Sequence, residues 1–347
     1  MDFRLDDDQQ LIVETVRKFS DRDIRGWAAE ADRAGAPPER LAHIAGELGF
    51  LIDAVPADAG GMLEGSYSHV TRALRGYELG RGCAAIAALL ECNVEPALAV
   101  AAWGDAKTKQ ALFASLSSGG FATLYHDSRG ALAVDGDRIT GKLIAPALAV
   151  ASYVLVAADG KLILVPTDGM RRDAITPSGW RAARWATATL EGQRGTVLEG
   201  GSVEQVLAWA RTSLAARAVG VAVAAMEHAA SYSKERVQFG QPIGQFEALI
   251  RLRDDALTTA AAARMLALHA AWLIDTNDRT AYDTASRARV IAGDCVARAT
   301  IDAVQIFGGY GFVNDYPVEK LMRDARAFEA VLGDERLGRV LAQKETR

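Results

Sequence analysis

The stretch from Gln305 to Leu337, QIFGGYGFVNDYPVEKLMRDARAFEAVLGDERL, is the part of the chain whose reading decides the fold. It starts at the end of an apolar run at helical spacing (Val296, Ile301, Val304, Ile306, Phe307) and breaks at Gly308-Gly309. Glycine lets a backbone turn sharply and lets another group come close to it. An exposed Asn-Asp-Tyr-Pro turn follows, and Pro317 suits the first turn of the charge-rich helix beyond it. A helix, a glycine corner and a second helix can be punctuation alone, so the weight of this stretch depends on its surroundings.

The chain has 347 residues, enough for several subdomains and a large core. Half of the residues are hydrophobic and the mean hydropathy is +0.04, which is the composition of a globular protein. A net charge of -5 without a basic stripe argues against a general nucleic-acid binder. The segment Met1-Asp2-Phe3-Arg4-Leu5, followed by three aspartates, is unlike a targeting peptide. The longest apolar run, Ala84 to Trp103, is interrupted by Glu91, Asn93, Glu95 and Pro96, so no membrane span is expected. Cys83, Cys92 and Cys295 have no CxxC spacing, which predicts buried thiols in a reducing compartment and neither disulfides nor a metal site. These features predict a cytoplasmic oligomer.

Three textures follow one another along the chain. Residues 1–118 read as a helical domain, with apolar spacing from Leu11 to Trp27, a helix opened by Pro37-Pro38 and further helices to Leu116. Residues 119–200 carry short, partly alternating runs with Asp135-Gly136 and Asp159-Gly160 between neighbours, which predicts a small antiparallel β domain. It contains no GxGxxG or GxxxxGK[ST] loop, so a Rossmann or P-loop nucleotide site is not expected. Residues 201–347 read as four long helices, Val203–Ser231, Phe246–Ile274, Ala281–Phe307 and Val318–Gln343, the pattern of a four-helix bundle. The fold class is α+β, mainly α.

Two motifs now give the order of domains a likeness. Tyr232-Ser-Lys-Glu-Arg-Val-Gln-Phe-Gly-Gln-Pro-Ile-Gly-Gln-Phe246 resembles the ERxxFGxPIxxFQ element of the acyl-CoA dehydrogenase family. Asp302 to Phe312, with Tyr316-Pro-Val-Glu and Met322-Arg-Asp-Ala325, resembles that family's second signature at the family's spacing. The likeness runs along the whole chain. It implies an oligomeric flavoenzyme with FAD at a subunit interface. In such an enzyme a base takes the α-proton of an acyl-CoA thioester while the β-hydrogen leaves as hydride. By the same likeness Arg236 reaches the pyrophosphate of a neighbouring subunit's FAD, a task suited to a forked, delocalised cation. Phe239 packs beside that cofactor, and Gln305, Gly308 and Gly309 lie against its adenosine half. The residues alone allow a plainer account, in which Arg236 is a cation in a last helical turn capped by Gly240 and the glycines only make a turn.

Departures from the family pattern carry as much weight as the matches. Counted from Met322, the family's glutamate position falls on Leu332, and its alternative base position, before Arg211, falls on Ala210. Neither side chain accepts a proton. The family's TEPxAGSD flavin loop is replaced by Ala122 to Gly130, and the β domain is short. Glu329, Asp334 and Glu335 are the nearest carboxylates to Leu332, Glu329 lying about one helical turn before it. The pair His126-Asp127 reads as a loop, since adjacent residues rarely aim at one point, and the other histidines suggest no metal.

This combination resembles the shortened subunit of heteromeric acyl-CoA dehydrogenases of steroid side-chain degradation. It implies a partner, a full-length acyl-CoA dehydrogenase subunit in a heterotetramer, or else a second copy of this chain. Two other readings stay open: a self-sufficient dehydrogenase with a relocated base, and a non-catalytic binding scaffold derived from the family.

Overall fold

Helices begin where the sequence supplies a cap. In the computed structural model, which describes residues 4–332, Asp6 and Gln9 form a reciprocal capping box at the head of α1 (Asp7–Phe19). One π-helical turn (Ser20–Ile24) joins α1 to α2 (Arg25–Ala34), so the helix expected over this region is a single rod with a widened turn. α3 (Arg40–Glu47), α4 (His69–Gly82), α5 (Ala84–Glu91), α6 (Val94–Trp103) and α7 (Ala106–Ser117) follow. Ser68 and Asp105 cap α4 and α7 through their side-chain oxygens.

Strands take over at Phe121: β1 (Phe121–His126), β2 (Ala133–Asp135), β3 (Arg138–Ala145), β4 (Ala151–Ala158), β5 (Lys161–Pro166), β6 (Arg171–Ala174), β7 (Ala186–Arg194) and β8 (Thr196–Val197). They form two four-stranded sheets, ordered β1-β4-β5-β8 and β2-β3-β7-β6. Both Asp-Gly dipeptides lie in hairpin turns, between β2 and β3 and between β4 and β5. One pairing departs from the antiparallel expectation: β1 runs parallel to β4, with Ala122 opposite Tyr153 and His126 opposite Ala157. The reason is the connection. The chain leaves for the second sheet through β2 and β3 before laying β4 beside β1, and such a crossover permits parallel strands.

The C-terminal helices are α8 (Val203–Glu235), α9 (Glu247–Asp275), α10 (Ala281–Phe307) and α11 (Pro317–Ala330), with the short hairpin strands β9 (Val237–Gln238) and β10 (Gln241–Pro242) after α8. The remainder of the last predicted helix, with Asp334 and Glu335, lies outside the described residues. α8 packs against α4, α9, α10 and α11, and so is buried on nearly every side. Its contact with α4 is backbone to backbone. A Cβ added to Gly220 would lie 2.2 Å from the Tyr77 carbonyl oxygen, and one added to Gly80 would lie 2.3 Å from that of Arg217.

Three stretches, Ala84–Trp103, Val203–Glu235 and Glu247–Asp275, are long and apolar enough to be candidates for crossing a membrane. In the first two, 89% and 94% of the most apolar window is buried inside the protein, against 39% in α9, which therefore keeps an open face.

Candidate functional site

The motif residues lie on the outside. α8 ends at Glu235 with Arg236 as its C-cap residue, and Phe239 and Gly240 form the tip of the β9–β10 hairpin with φ of +53° and +81°. Gly240 thus turns a hairpin and does not close the helix. Phe239 is 94% exposed, its ring meeting Phe246 edge-on. That is a large apolar area left open to solvent. The Arg236 guanidinium stands 5.8 Å from the Tyr310 ring. Tyr310 belongs to an aromatic cluster with Tyr232, Phe307 and Tyr316, in which Tyr232 and Phe307 stack at 4.2 Å. The cluster joins the two sequence motifs.

Gln305 is exposed near the end of α10, and Gly308 and Gly309 are exposed just beyond it. Gly308 has φ +59° and ψ -133°, a conformation that only glycine adopts readily. A side chain on either glycine would meet nothing within 4 Å, so packing inside this chain does not demand them. They leave bare backbone facing outward.

Leu332, by contrast, faces inward. A cavity of about 560 Å³ lies between the end of β1 and the end of α11, and Tyr125, His126, Arg129, Trp185, Glu329 and Leu332 are in its wall. His126 Nδ1 is 3.1 Å from the Leu332 carbonyl oxygen. A carbonyl only accepts, so Nδ1 carries the proton and Nε2 keeps its lone pair. Burial holds the imidazole below its ordinary pKa, against the opposing pull of the Leu332 bond, so the ring is neutral at pH 7. Glu329 is tied to Arg326 at 2.5 Å. His126 was expected in a loop; it is the last residue of β1, held there by pairing with β4. Asp127 does not serve it, since its carboxylate accepts from the backbone of Ala131 and Leu132 at 2.9 and 2.8 Å.

A second, smaller cavity of about 50 Å³ has both Leu332 and Ala210 in its wall, together with Trp180, Glu91, Glu95 and Arg217. The two positions singled out in sequence therefore open on one space, and both are aliphatic. Behind it lies a buried ionic network. Arg72 bonds Glu91 at 2.7 Å and Glu95 at 2.8 Å, and Arg75 bonds Glu91 at 2.6 Å and Asp53 at 2.5 Å. Burial pushes the Glu91 carboxyl up, but Arg75 and Arg72 outweigh it and hold the group at about 2. In the sequence Glu91 and Glu95 stand only as interruptions of an apolar run. The matching pairs Arg72/Arg75 and Glu91/Glu95, each about one helical turn apart, were the available signal. Among the described residues no group of three His, Cys, Asp or Glu side chains is placed to hold a metal ion.

The likeness to known proteins extends over the whole chain. Residues 6–120 match the acyl-CoA dehydrogenase N-terminal domain, and residues 200–344 match the acyl-CoA dehydrogenase C-terminal domain. A probable acyl-CoA dehydrogenase of Bacillus subtilis, YngJ, is 30% identical over 385 aligned residues, covering 99% of each chain. The cyclohex-1-ene-1-carbonyl-CoA dehydrogenase of Geobacter metallireducens is 29% identical, covering 97% of each. Butyryl-CoA dehydrogenase from Megasphaera elsdenii superposes with a TM-score of 0.88 at 23% identity, with full coverage of both chains, which speaks for the fold. With both terminal domains matched, and with these helices and sheets in this order, the chain belongs to the acyl-CoA dehydrogenase family.

Proposed function

We propose that this chain is one subunit of an FAD-dependent acyl-CoA dehydrogenase, lending contacts to a partner's flavin and not itself taking the substrate proton. The observation that carries the reading is the shared cavity of Ala210 and Leu332, the two family base positions, both aliphatic. The carboxylates that do reach this cavity are engaged: Glu91 and Glu95 are ion-paired with arginines. A carboxylate held at about 2, as Glu91 is, makes a poor proton acceptor at neutral pH.

FAD is the family's cofactor, and when bound it takes up the hydride from the acyl chain. The outward residues fit a share in holding it. Arg236 is exposed with its fork of donors available to a phosphate, Phe239 offers a bare ring, and Gly308-Gly309 leaves room for close approach. The inward side fits less well, because β1 presents Leu124, Tyr125 and His126 to the larger cavity in place of the family's flavin loop. The alignment with the Bacillus relative runs over 385 positions against 347 residues here, which agrees with a shortened chain.

On this reading the partner is a full-length acyl-CoA dehydrogenase subunit in a heterotetramer, and the substrate is a bulky, steroid-type acyl-CoA. Co-purification of such a partner in a yellow complex, with less than one flavin per chain, is the expected result. Stoichiometric FAD on the chain expressed alone, with oxidation of an acyl-CoA, would refute it. A colourless complex would favour a binding scaffold instead.

A second reading, a self-sufficient enzyme with a relocated base, has one observation in its favour. Neutral His126 has no hydrogen bond at Nε2 among the described residues, and it shares the larger cavity with Glu329 and Leu332. Turnover by the chain alone that is lost in His126→Asn or Glu329→Gln would support this; unchanged turnover in both would clear these two residues, and no turnover by the chain alone would remove the reading.

A further inference from the structure

Arg217 is the one arginine of the buried network that lacks an ion pair within hydrogen-bond reach among the described residues. Its side chain is 93% buried by residue exposure (7% exposed), yet its only hydrogen bond is a long one, from Nε to the Ser213 carbonyl at 3.4 Å. Its Nη groups make no ion pair with the described residues and face the cavity, whereas the fully enclosed unpartnered atoms of this network are Arg72 Nη2 and Asp53 Oδ1. Arg72 and Arg75, its neighbours in the network, are bound to Glu91, Glu95 and Asp53. A guanidinium charge held this far from bulk water without an ion pair is costly. Burial accordingly pulls the Arg217 pKa down to about 10, although Glu91 and Glu95 act to raise it.

The cavity that Arg217 faces is the small one walled by Ala210 and Leu332. Ala210, Leu214 and Arg217 lie on one face of α8, at i, i+4 and i+7, so a group passing between Ala210 and Leu332 meets Arg217 next. A space of about 50 Å³ admits a small functional group but no extended chain. The charges are already balanced: Arg72, Arg75 and Arg217 stand among Asp53, Glu91 and Glu95. An added anion would meet Arg217 but also the carboxylates of Glu91 and Glu95 in the same wall, leaving the space with an excess negative charge. A neutral oxygen would accept from Arg217 with no such penalty.

We propose that the Arg217 cavity receives the far end of an acyl group bearing a neutral hydrogen-bond-accepting oxygen, a hydroxyl or ketone, in preference to a hydrocarbon or a carboxylate. This inference rests on the reading of Ala210 and Leu332 as the positions that flank the bound acyl group. A site built to donate to an oxygen discriminates strongly against a ligand that lacks it, because its own donors are then stranded.

The test is calorimetric binding of CoA thioesters to the full chain, without turnover as a readout. Butanoyl, hexanoyl and octanoyl thioesters are each compared with their ω-hydroxy and ω-carboxy counterparts. At one chain length the hydroxy compound should bind about tenfold or more tightly than the other two. Arg217→Met should abolish that preference, bringing the hydroxy and hydrocarbon thioesters within about threefold of each other. Should the variant fail to fold, the series on the unaltered chain still decides. Equal affinity for all three end groups, or tightest binding of the carboxylate, overturns the inference and leaves the family-based reading of the cavity in place. Binding of none of these thioesters also overturns the inference, while the reading of Ala210 and Leu332 is tested separately by the flavin content of the complex. A preference that persists in a folded Arg217→Met chain assigns it to another residue and overturns the role of Arg217.

Discussion

The imidazole of His126 is bonded at 3.1 Å to the main-chain carbonyl of Leu332, the residue that counting from Met322 sets at the family's glutamate position. This tie is to backbone, so it survives a change of the Leu332 side chain. Leu332→Glu therefore supplies a carboxylate at the position without dismantling the contact. We expect no acyl-CoA oxidation by the Leu332→Glu chain alone, because on the proposed reading the strand facing the cavity, with Leu124, Tyr125 and His126, stands in place of a flavin loop. Acyl-CoA-dependent dye reduction above background in that variant would contradict the proposed division of labour.

Arg236 offers a cleaner separation of binding from folding. It is exposed, and among the described residues its guanidinium is held by a cation–π contact with Tyr310. Arg236→Ala should change the stability of this chain by no more than about 1 kcal/mol. The same variant should lower the flavin content of the complex with its partner. Arg236→Lys should recover part of it, since the charge is kept and the fork lost. Flavin absorbance per mole of complex, read beside a denaturant titration of the chain, checks both halves.

His69 predicts a pH dependence of stability. It is buried, stacks on Trp209 at 5.6 Å and meets Tyr67 edge-on at 5.3 Å. Burial, reinforced by Arg72, lowers its pKa from 6.5 to about 3. Below pH 6.5 the unfolded chain binds a proton that the folded chain refuses, so stability falls as the pH drops from 6.5 towards 3. The loss is about 1.4 kcal/mol per pH unit once both ends of the window are clear. Denaturant midpoints between neutral pH and about pH 5 should reveal this slope, and His69→Phe should flatten it by one proton's share.

Asp324 holds two partners at once. Its Oδ2 is 2.5 Å from Lys320 Nζ, and its Oδ1 accepts from the Trp180 backbone amide at 2.7 Å. Both charges are buried, so Asp324→Ala would strand the Lys320 ammonium. A loss of about 3–5 kcal/mol is expected in chemical denaturation. Adding Lys320→Met should return a large part of it, because the uncompensated charge is then gone.

Local signals carried much of the architecture. The apolar spacing of the long helices and the Asp-Gly turns are properties of neighbouring residues, and the elements follow them closely. The parallel pairing of β1 with β4 was not legible, because it depends on a detour through the other sheet. Among the candidate site residues, Arg236, Phe239, Gln305, Gly308 and Gly309 sit within recognisable motifs, and all five are exposed. Glu91, Glu95 and Arg217 gave no such sign. What sets them apart is their burial beside one another, and that comes from α4, α5, α6 and α8 packing together.

The contact of α4 with α8 has a consequence for chain design. The atom a side chain at Gly80 would strike is the carbonyl oxygen of Arg217 itself, at 2.3 Å. The absent Cβ on one helix is thus a ruler for the other: it sets how far Arg217 is recessed. Any side chain at Gly80 would lever α8 outward and carry the guanidinium with it. The tuning of this cavity is therefore written partly at a residue that never touches it, and a search confined to its lining would pass over the dial.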